Sequence, residues 1–155
     1  MSTNHTIQWV TKSFADLTNQ ELYEMLRLRS EVFVVEQNCV YLDIDNNDQK
    51  AHHTLGWIGN ELVATTRLFD KNKMYDGYQS IGRVVTAPKF RRTGAGKELM
   101  NYSIQACERL FGKGPIKIGA QFYLKKFYSE LGFEQTGEIY LEDGIDHIPM
   151  IRAAK

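Results

Sequence analysis

The chain predicts an α+β fold: a mixed central sheet of about six to seven strands flanked by about four helices. Residues 53–58 and 61–69 read as strands, and the tight-turn pair Gly59-Asn60 joins them into an antiparallel hairpin. A strand at 81–86, a helical pattern at 96–111 and a strand at 116–121 form a strand–helix–strand unit, which requires two parallel strands. Strand-like stretches at 133–140 and 147–152 flank Asp143-Gly144 and add antiparallel pairs. Residues 1–155 suit one domain with one core and need no disulfide to hold it.

The elements follow in order. Residues 7–12 have β character. Thr18 with Glu21 makes a capping box, so a helix begins there; Leu22, Met25, Leu26 and 29–33 carry its period to about Val35. Residues 36–50 are acidic and asparagine-rich and read as a loop, as do residues 70–79. Pro88 stops the strand at 81–86. Leu99, Ser103, Ala106 and Leu110 share one face of the helix at 96–111, which Gly112 to Pro115 ends. A last helix spans 123–131, with Gly132 as its C-terminal stop.

Composition narrows the function classes. The chain is 43% hydrophobic and 25% charged, as folded, water-soluble proteins are. Lys plus Arg equals Asp plus Glu, at 19 each, so overall charge favours neither nucleic acid nor a membrane surface. No apolar run reaches the ~18 residues of a membrane span, and the N-terminus lacks the charged and apolar segments of a secretory signal. Cys39 and Cys107 have no paired spacing, which fits a reduced, cytoplasmic protein. No zinc-type ligand spacing occurs, and no metal is expected.

The most informative segment is Arg91-Arg92-Thr93-Gly94-Ala95-Gly96-Lys97, between the strand at 81–86 and the long helix. Glycines at a helix mouth let successive backbone N–H groups converge on one anion, and a pyrophosphate is the usual one. A Walker loop would need glycine at Arg91 and Ser or Thr at Glu98, and the dinucleotide fingerprint would need glycine at Leu99. Arg-x-x-Gly-x-Gly is what remains. A second signal, Phe127-Tyr128-x-x-Leu131-Gly132-Phe133, follows on the next helix.

Together these motifs resemble the GNAT superfamily of N-acetyltransferases. The stretches Val32-Phe33-Val34-Val35-Glu36-Gln37-Asn38-Cys39, Tyr41-Leu42-Asp43-Ile44-Asp45, Leu55-Gly56-Trp57, Ile81-Gly82-Arg83-Val84 and Glu142-Asp143-Gly144-Ile145-x-His147-Ile148-x-Met150 are similar to its ElaA-like branch. The resemblance covers nearly the whole chain. It implies the GNAT fold and acetyl-CoA (coenzyme A) as acyl donor, with its pyrophosphate on residues Arg91, Arg92, Thr93, Gly94, Ala95, Gly96 and Lys97. It also implies pantetheine pairing with the main chain of Val84 and Val85, and Tyr128 as the acid that protonates the departing thiolate. Many members have Asn at the position of Gln121 and Ala at that of Leu124; the Gln121 amide can still hydrogen-bond the coenzyme. Many members pair, so a homodimer is implied as well.

Acetyl transfer to an amine passes through an oxyanion that needs a preorganised donor, which the resemblance places at a backbone N–H near Val84-Val85. A phenol, with pKa near ~10, can hand a proton to a thiolate, whose thiol has pKa roughly ~8.5, while staying un-ionised at neutral pH. The attacking amine is charged in water and needs a base. Glu36, Asp43, Asp45, His53 and His147 are candidates, and Glu36, His53 and His147 are the possible bases or substrate-binding groups carried forward. The acidic 36–50 loop can attract a cationic amine or be a solvated connection. The expected function is direct transfer, in a ternary complex, from acetyl-CoA to a primary amine of a small molecule or peptide. The acceptor pocket draws on the first helix, the 36–50 loop and the segment near His147. Alternatives are a catalytically silent coenzyme A sensor and a transferase of longer acyl chains.

Overall fold

The computed structural model describes residues 6–154. Eight strands form one sheet: β1 (Gln8–Ser13), β2 (His52–Ile58), β3 (Glu61–Phe69), β4 (Gln79–Thr86), β5 (Ile116–Gln121), β6 (Phe133–Gln135), β7 (Tyr140–Glu142) and β8 (Ile145–Arg152). Their order is β1-β2-β3-β4-β5-β8-β6, with β7 also on β8. Every pairing is antiparallel except β4 with β5. Three α-helices cover the sheet: α1 (Asn19–Arg29), α2 (Ala95–Phe111) and α3 (Lys125–Ser129).

The mixed α+β architecture is the predicted one, with one strand more and one helix fewer. The extra strand arises because the stretch at 133–140 is split. Pro149 of β8 has no N–H to offer a ladder, and there the N–H and hydroxyl of Thr136 both donate to Pro149 O, at 3.0 and 3.4 Å, before β7 resumes pairing at Tyr140 opposite His147. The first helix also departs from the reading. It is α-helical only to Arg29, and Ser30–Glu36 continues as a π-helix. Three β-branched valines, Val32, Val34 and Val35, lie in that stretch and crowd a regular α turn. The last helix is a 3₁₀ turn, Phe122–Leu124, followed by a single α turn and a half.

Helix starts and stops follow local chemistry. Thr18 Oγ1 accepts the Glu21 N–H at 3.1 Å and Glu21 Oε1 accepts the Thr18 N–H at 2.8 Å, a closed capping box. The helix α2 buries Leu99, Met100, Ser103, Ile104, Ala106 and Cys107, while Leu110, predicted on that face, is 41% exposed near the helix end. Burial of Leu99 and Met100 stabilises the fold by about 1.5–3 kcal/mol each. The Ser103 hydroxyl finds Thr66 Oγ1 on β3 at 2.8 Å, so the polar group on the buried face is satisfied.

Two apolar clusters make the core. One gathers α1, β2, β3 and the start of α2; the other gathers the rest of α2 with β5, β8 and α3. Val84 of β4 packs against both. The strand carrying the expected coenzyme contacts thus sits at the seam of the molecule.

Candidate active site

The seam opens because β4 is bulged. Thr65 pairs with Val85 and Arg67 with Gly82, so Arg83 and Val84 together oppose Thr66 alone. Arg83 takes φ 48°, the left-handed conformation such a bulge imposes. On the other edge, β4 pairs with β5 only at Gln79–Ile116 and Ser80–Lys117. Beyond those residues the two strands part. A cavity of about 620 Å³ lies between residues 81–86 of β4 and Ile118, Gly119 and Gln121 of β5. That volume suits a small-molecule site, and the parted strand edges offer main-chain groups to whatever enters.

One end of the cavity is the glycine loop. Arg91, Arg92, Gly94, Gly96 and Lys97 line it; Thr93 and Ala95 fall outside the lining. Gly94 caps α2 with φ 85°, and a Cβ there would meet only open space, so the glycine serves the backbone turn. The first intrahelical acceptor, Gly94 O, takes the Glu98 N–H at 3.0 Å, leaving the N–H groups before it free of helical partners. Thr93 Oγ1 donates to Phe90 O and holds the turn, and Ala95 is buried in the core. Val84 and Val85 line the cavity beside the loop.

Tyr128 forms part of the wall. It is 5% exposed and packs edge-on against Phe127 at 5.1 Å and Phe133 at 5.9 Å between centroids. Burial pushes its phenol above the ordinary value, and neighbouring Tyr123 adds to the shift. The group therefore keeps its proton at any physiological pH. Gln121 exchanges amide hydrogen bonds with Gln37, at 3.2 and 3.3 Å, across the cavity mouth. From sequence Gln37 has no site role; its signal there is its place in the family-like stretch Val32 to Cys39.

The other end draws on the loop after the π-helix and the β7–β8 hairpin: Cys39, Tyr41, Glu142, Asp143 and His147 all line it. Cys39 Sγ reaches Asp143 O at 3.1 Å and ties loop to hairpin. The candidate bases separate here. Glu36 is engaged by Arg91, whose guanidinium donates to both carboxylate oxygens, at 2.8 Å for one of them. His147 lines the cavity, gives Nδ1–H to Ile145 O at 2.7 Å and stacks on Tyr140. His53 is elsewhere: it is fully buried, outside the lining, with Nε2 on Asp48 O at 2.9 Å. A carbonyl only accepts, so Nε2 carries the proton and the ring is neutral; burial lowers its affinity for a second one.

The aspartates of the acidic loop prove to be paired rather than free. Asp43, Asp45 and Asp48 are paired with Arg29, Arg67 and Arg83 in one network. Arg29 spans Asp43 at 2.8 Å and Asp48 at 2.7 Å; Arg67 grips Asp45 with two bonds and Asp48 with one; Arg83 meets Asp43 at 2.7 Å. Tyr41 donates to Asp43 Oδ1 at 3.0 Å. Burial works to raise the Asp45 and Asp48 carboxyls, but hydrogen bonds and charge from these arginines hold both below the usual carboxylate range. These aspartates fix the loop that walls this end of the cavity. Among the described residues no three His, Cys, Asp or Glu side chains gather as metal ligands, and no helix is long and apolar enough to cross a membrane.

A bulged strand parting from its parallel neighbour, with a glycine-capped helix mouth at one end and a buried tyrosine in the wall, is the arrangement of the GNAT fold. Comparison with known proteins agrees. The family pattern described as an acetyltransferase (GNAT) domain matches residues 14–153. The Escherichia coli protein ElaA is 39% identical over 148 residues, which cover 94% of this chain and 96% of that protein. A UPF0039 protein of Synechocystis is 41% identical, covering 94% of each chain. The crystal structure of an acyl-CoA N-acyltransferase from Pseudomonas aeruginosa superposes with a TM-score of 0.88 at 44% identity, covering 94% of this chain and 99% of that one. The chain belongs to the GNAT acetyltransferase family, in the branch of the ElaA and UPF0039 proteins.

Proposed function

We propose that this protein is an N-acetyltransferase that moves the acetyl group of acetyl-CoA to a primary amine of a small molecule or peptide, by direct attack in a ternary complex. The observation that carries the reading is the parting of β4 from β5 after Ser80–Lys117, which leaves one cavity with the glycine loop at one end and Tyr128 in its wall. In this reading the diphosphate of the coenzyme rests on the free N–H groups around Gly94–Gly96, with Arg91, Arg92 and Lys97 supplying charge. Pantetheine runs as a pseudo-strand along the open edge of β4, hydrogen-bonded by the main chain of Val84 and Val85. A β4 N–H at this point stabilises the oxyanion. Gln121 turns from Gln37 to the coenzyme.

Tyr128 gives its proton to the leaving sulfur. Burial keeps the phenol protonated at neutral pH, so a proton is in place where the sulfur departs. The reading is tested by a screen of amines and peptides with acetyl-CoA, followed by thiol release. Transfer to at least one acceptor is expected. Tight binding of acetyl-CoA with no transfer to any acceptor would replace this reading by a coenzyme A sensor. Faster turnover with longer thioesters would replace acetyl by another acyl group. A homodimer belongs to the same proposal, and sedimentation equilibrium measures it.

A further inference from the structure

We propose that His147 and Glu142 together take the proton from the incoming amine, with His147 Nε2 as the base and Glu142 as the carboxylate that holds the ammonium and then the imidazolium. This rests on the N-acyltransferase reading above.

The hairpin register brings the two residues together. Tyr140 of β7 lies directly opposite His147 of β8, and Glu142 lies opposite Ile145, so Glu142 is the diagonal neighbour of His147 on the same face. Gln121 faces His147 from β5 on the other side. The ring is fixed by contacts the hairpin itself makes. It stacks on Tyr140 at 5.7 Å with 27° between planes, and the Tyr140 hydroxyl reaches over Gly119, where a Cβ would come within 2.5 Å of that oxygen. A side chain at position 119 would displace the Tyr140 hydroxyl from this place.

The tautomer follows from the bonding. Nδ1 lies 2.7 Å from Ile145 O, and a carbonyl only accepts, so Nδ1 carries the proton of the neutral ring. Nε2 then presents a lone pair, and 3.5 Å away lies Glu142 Oε2, also an acceptor. Neither atom can donate to the other. Two acceptors converging on the cavity are a seat for a donor, and a protonated primary amine brings three N–H bonds. The other titratable groups near them are Tyr140, Asp143 at the turn and Tyr75, which Glu142 influences from across the hairpin. Two cations lie on this side: Arg83, committed to Asp43 and Asp45, and Lys117, whose ammonium sits over the Tyr75 ring at 4.9 Å.

The step balances. One N–H bond of the ammonium breaks, its electrons become the amine lone pair, and the proton binds Nε2. The imidazolium is then held at Nδ1–H by Ile145 O and at Nε2–H by Glu142. The amine attacks the thioester carbonyl; the adduct collapses, the C–S electrons go to sulfur, and Tyr128 protonates it. The phenolate recovers a proton from the nitrogen as the amide forms, and the proton on His147 leaves to solvent.

Two measurements test this. Nitrogen-15 NMR of the full chain should place the proton of the neutral His147 ring on Nδ1; a proton on Nε2 would overturn the proposal. Kinetics then compare two probe amines with acetyl-CoA: butylamine, protonated at neutral pH, and hydroxylamine, already neutral. His147→Gln should slow butylamine transfer by ~10²–10⁴-fold at pH 7, yet hydroxylamine transfer by less than about tenfold, with butylamine recovering as pH approaches its own pKa. Glu142→Gln should follow the same pattern with a smaller loss, about tenfold. Equal losses for both amines in folded His147→Gln protein would overturn the proposal while leaving the transferase reading intact. Failure of the unaltered protein with both amines, acetyl-CoA being bound, would count against the transferase reading and the proposal with it.

Discussion

The two ends of the cavity are built by different means. The donor end is made of one short run of chain, the end of β4 and the loop to α2, and its working groups are main-chain N–H and C=O groups with a glycine at φ 85°. The acceptor end is made of side chains from segments far apart in sequence, held by the Arg29, Arg67 and Arg83 network and by single contacts such as Cys39 to Asp143. A backbone site needs particular conformations and so leaves a local signature. A side-chain site needs only that the fold bring the right groups together, and it leaves none. In the proposed reading, the donor end is thus built for one constant ligand, and the acceptor end can change without disturbing it.

The sharpest way to break this contrast is Tyr128→Phe, since Tyr128 belongs to the wall between the two ends. Turnover should fall by ~10²–10⁴-fold while the Kd for coenzyme A stays within about twofold, checked by thiol release and calorimetry. Unchanged turnover would remove Tyr128 from the chemistry. Next in size is Arg29→Met. It strips two buried carboxylates of their shared partner, and breaking such a pair costs about 3–5 kcal/mol. A urea midpoint reads this, and a loss below about 1 kcal/mol would mean that the acceptor loop stands without its ions.

Gly94→Ala probes the donor end by the same measurement. A side chain in the left-handed conformation costs about 1–2 kcal/mol, with weaker coenzyme A binding as the loop shifts. His53 tests the network through pH. Its folded affinity for a proton is lowered from the ordinary 6.5, so the unfolded chain binds the proton first as pH falls. The stability it lends is complete above about pH 6.5 and declines below it, by at most about 1.4 kcal/mol per pH unit. His53→Gln should flatten that slope in denaturation curves from pH 7.5 to 5. The smallest effect is expected from Glu36→Gln. Arg91 cannot grip Glu36 and a diphosphate with the same fork, so freeing it should tighten coenzyme A binding by a fewfold, in keeping with the ~0.2–1 kcal/mol of an exposed pair. Weaker binding would show that Glu36 instead shapes the loop for the coenzyme.

Much of this was legible before any coordinates. The hairpin at Gly59-Asn60, the strand–helix–strand unit and the capping box at Thr18 are written in local propensity and periodicity, and each is present. The length of the first helix was not legible. Its apolar period runs on through Val35, but the chain leaves α geometry after Arg29, the residue whose guanidinium must meet Asp43 and Asp48. Nor could the acidic loop be read correctly. Asp43, Asp45 and Asp48 look like a solvated or amine-attracting stretch until three arginines from α1, β3 and β4 are seen against them. Glu142 stands in a stretch that resembles the family but has no role there for the same reason, since its meaning depends on the ring of His147 across the hairpin.

The sequence by itself determined the main strands and the long helix, the glycine-capped helix mouth, and membership of the family, because these rest on groups adjacent in the chain. Tertiary structure alone decided which carboxylates are free, which histidine faces the cavity, and that β4 and β5 part to make one. Those outcomes depend on pairings between residues tens of positions apart, whose geometry is set by the packing of the whole sheet and by where charge can be buried only in company.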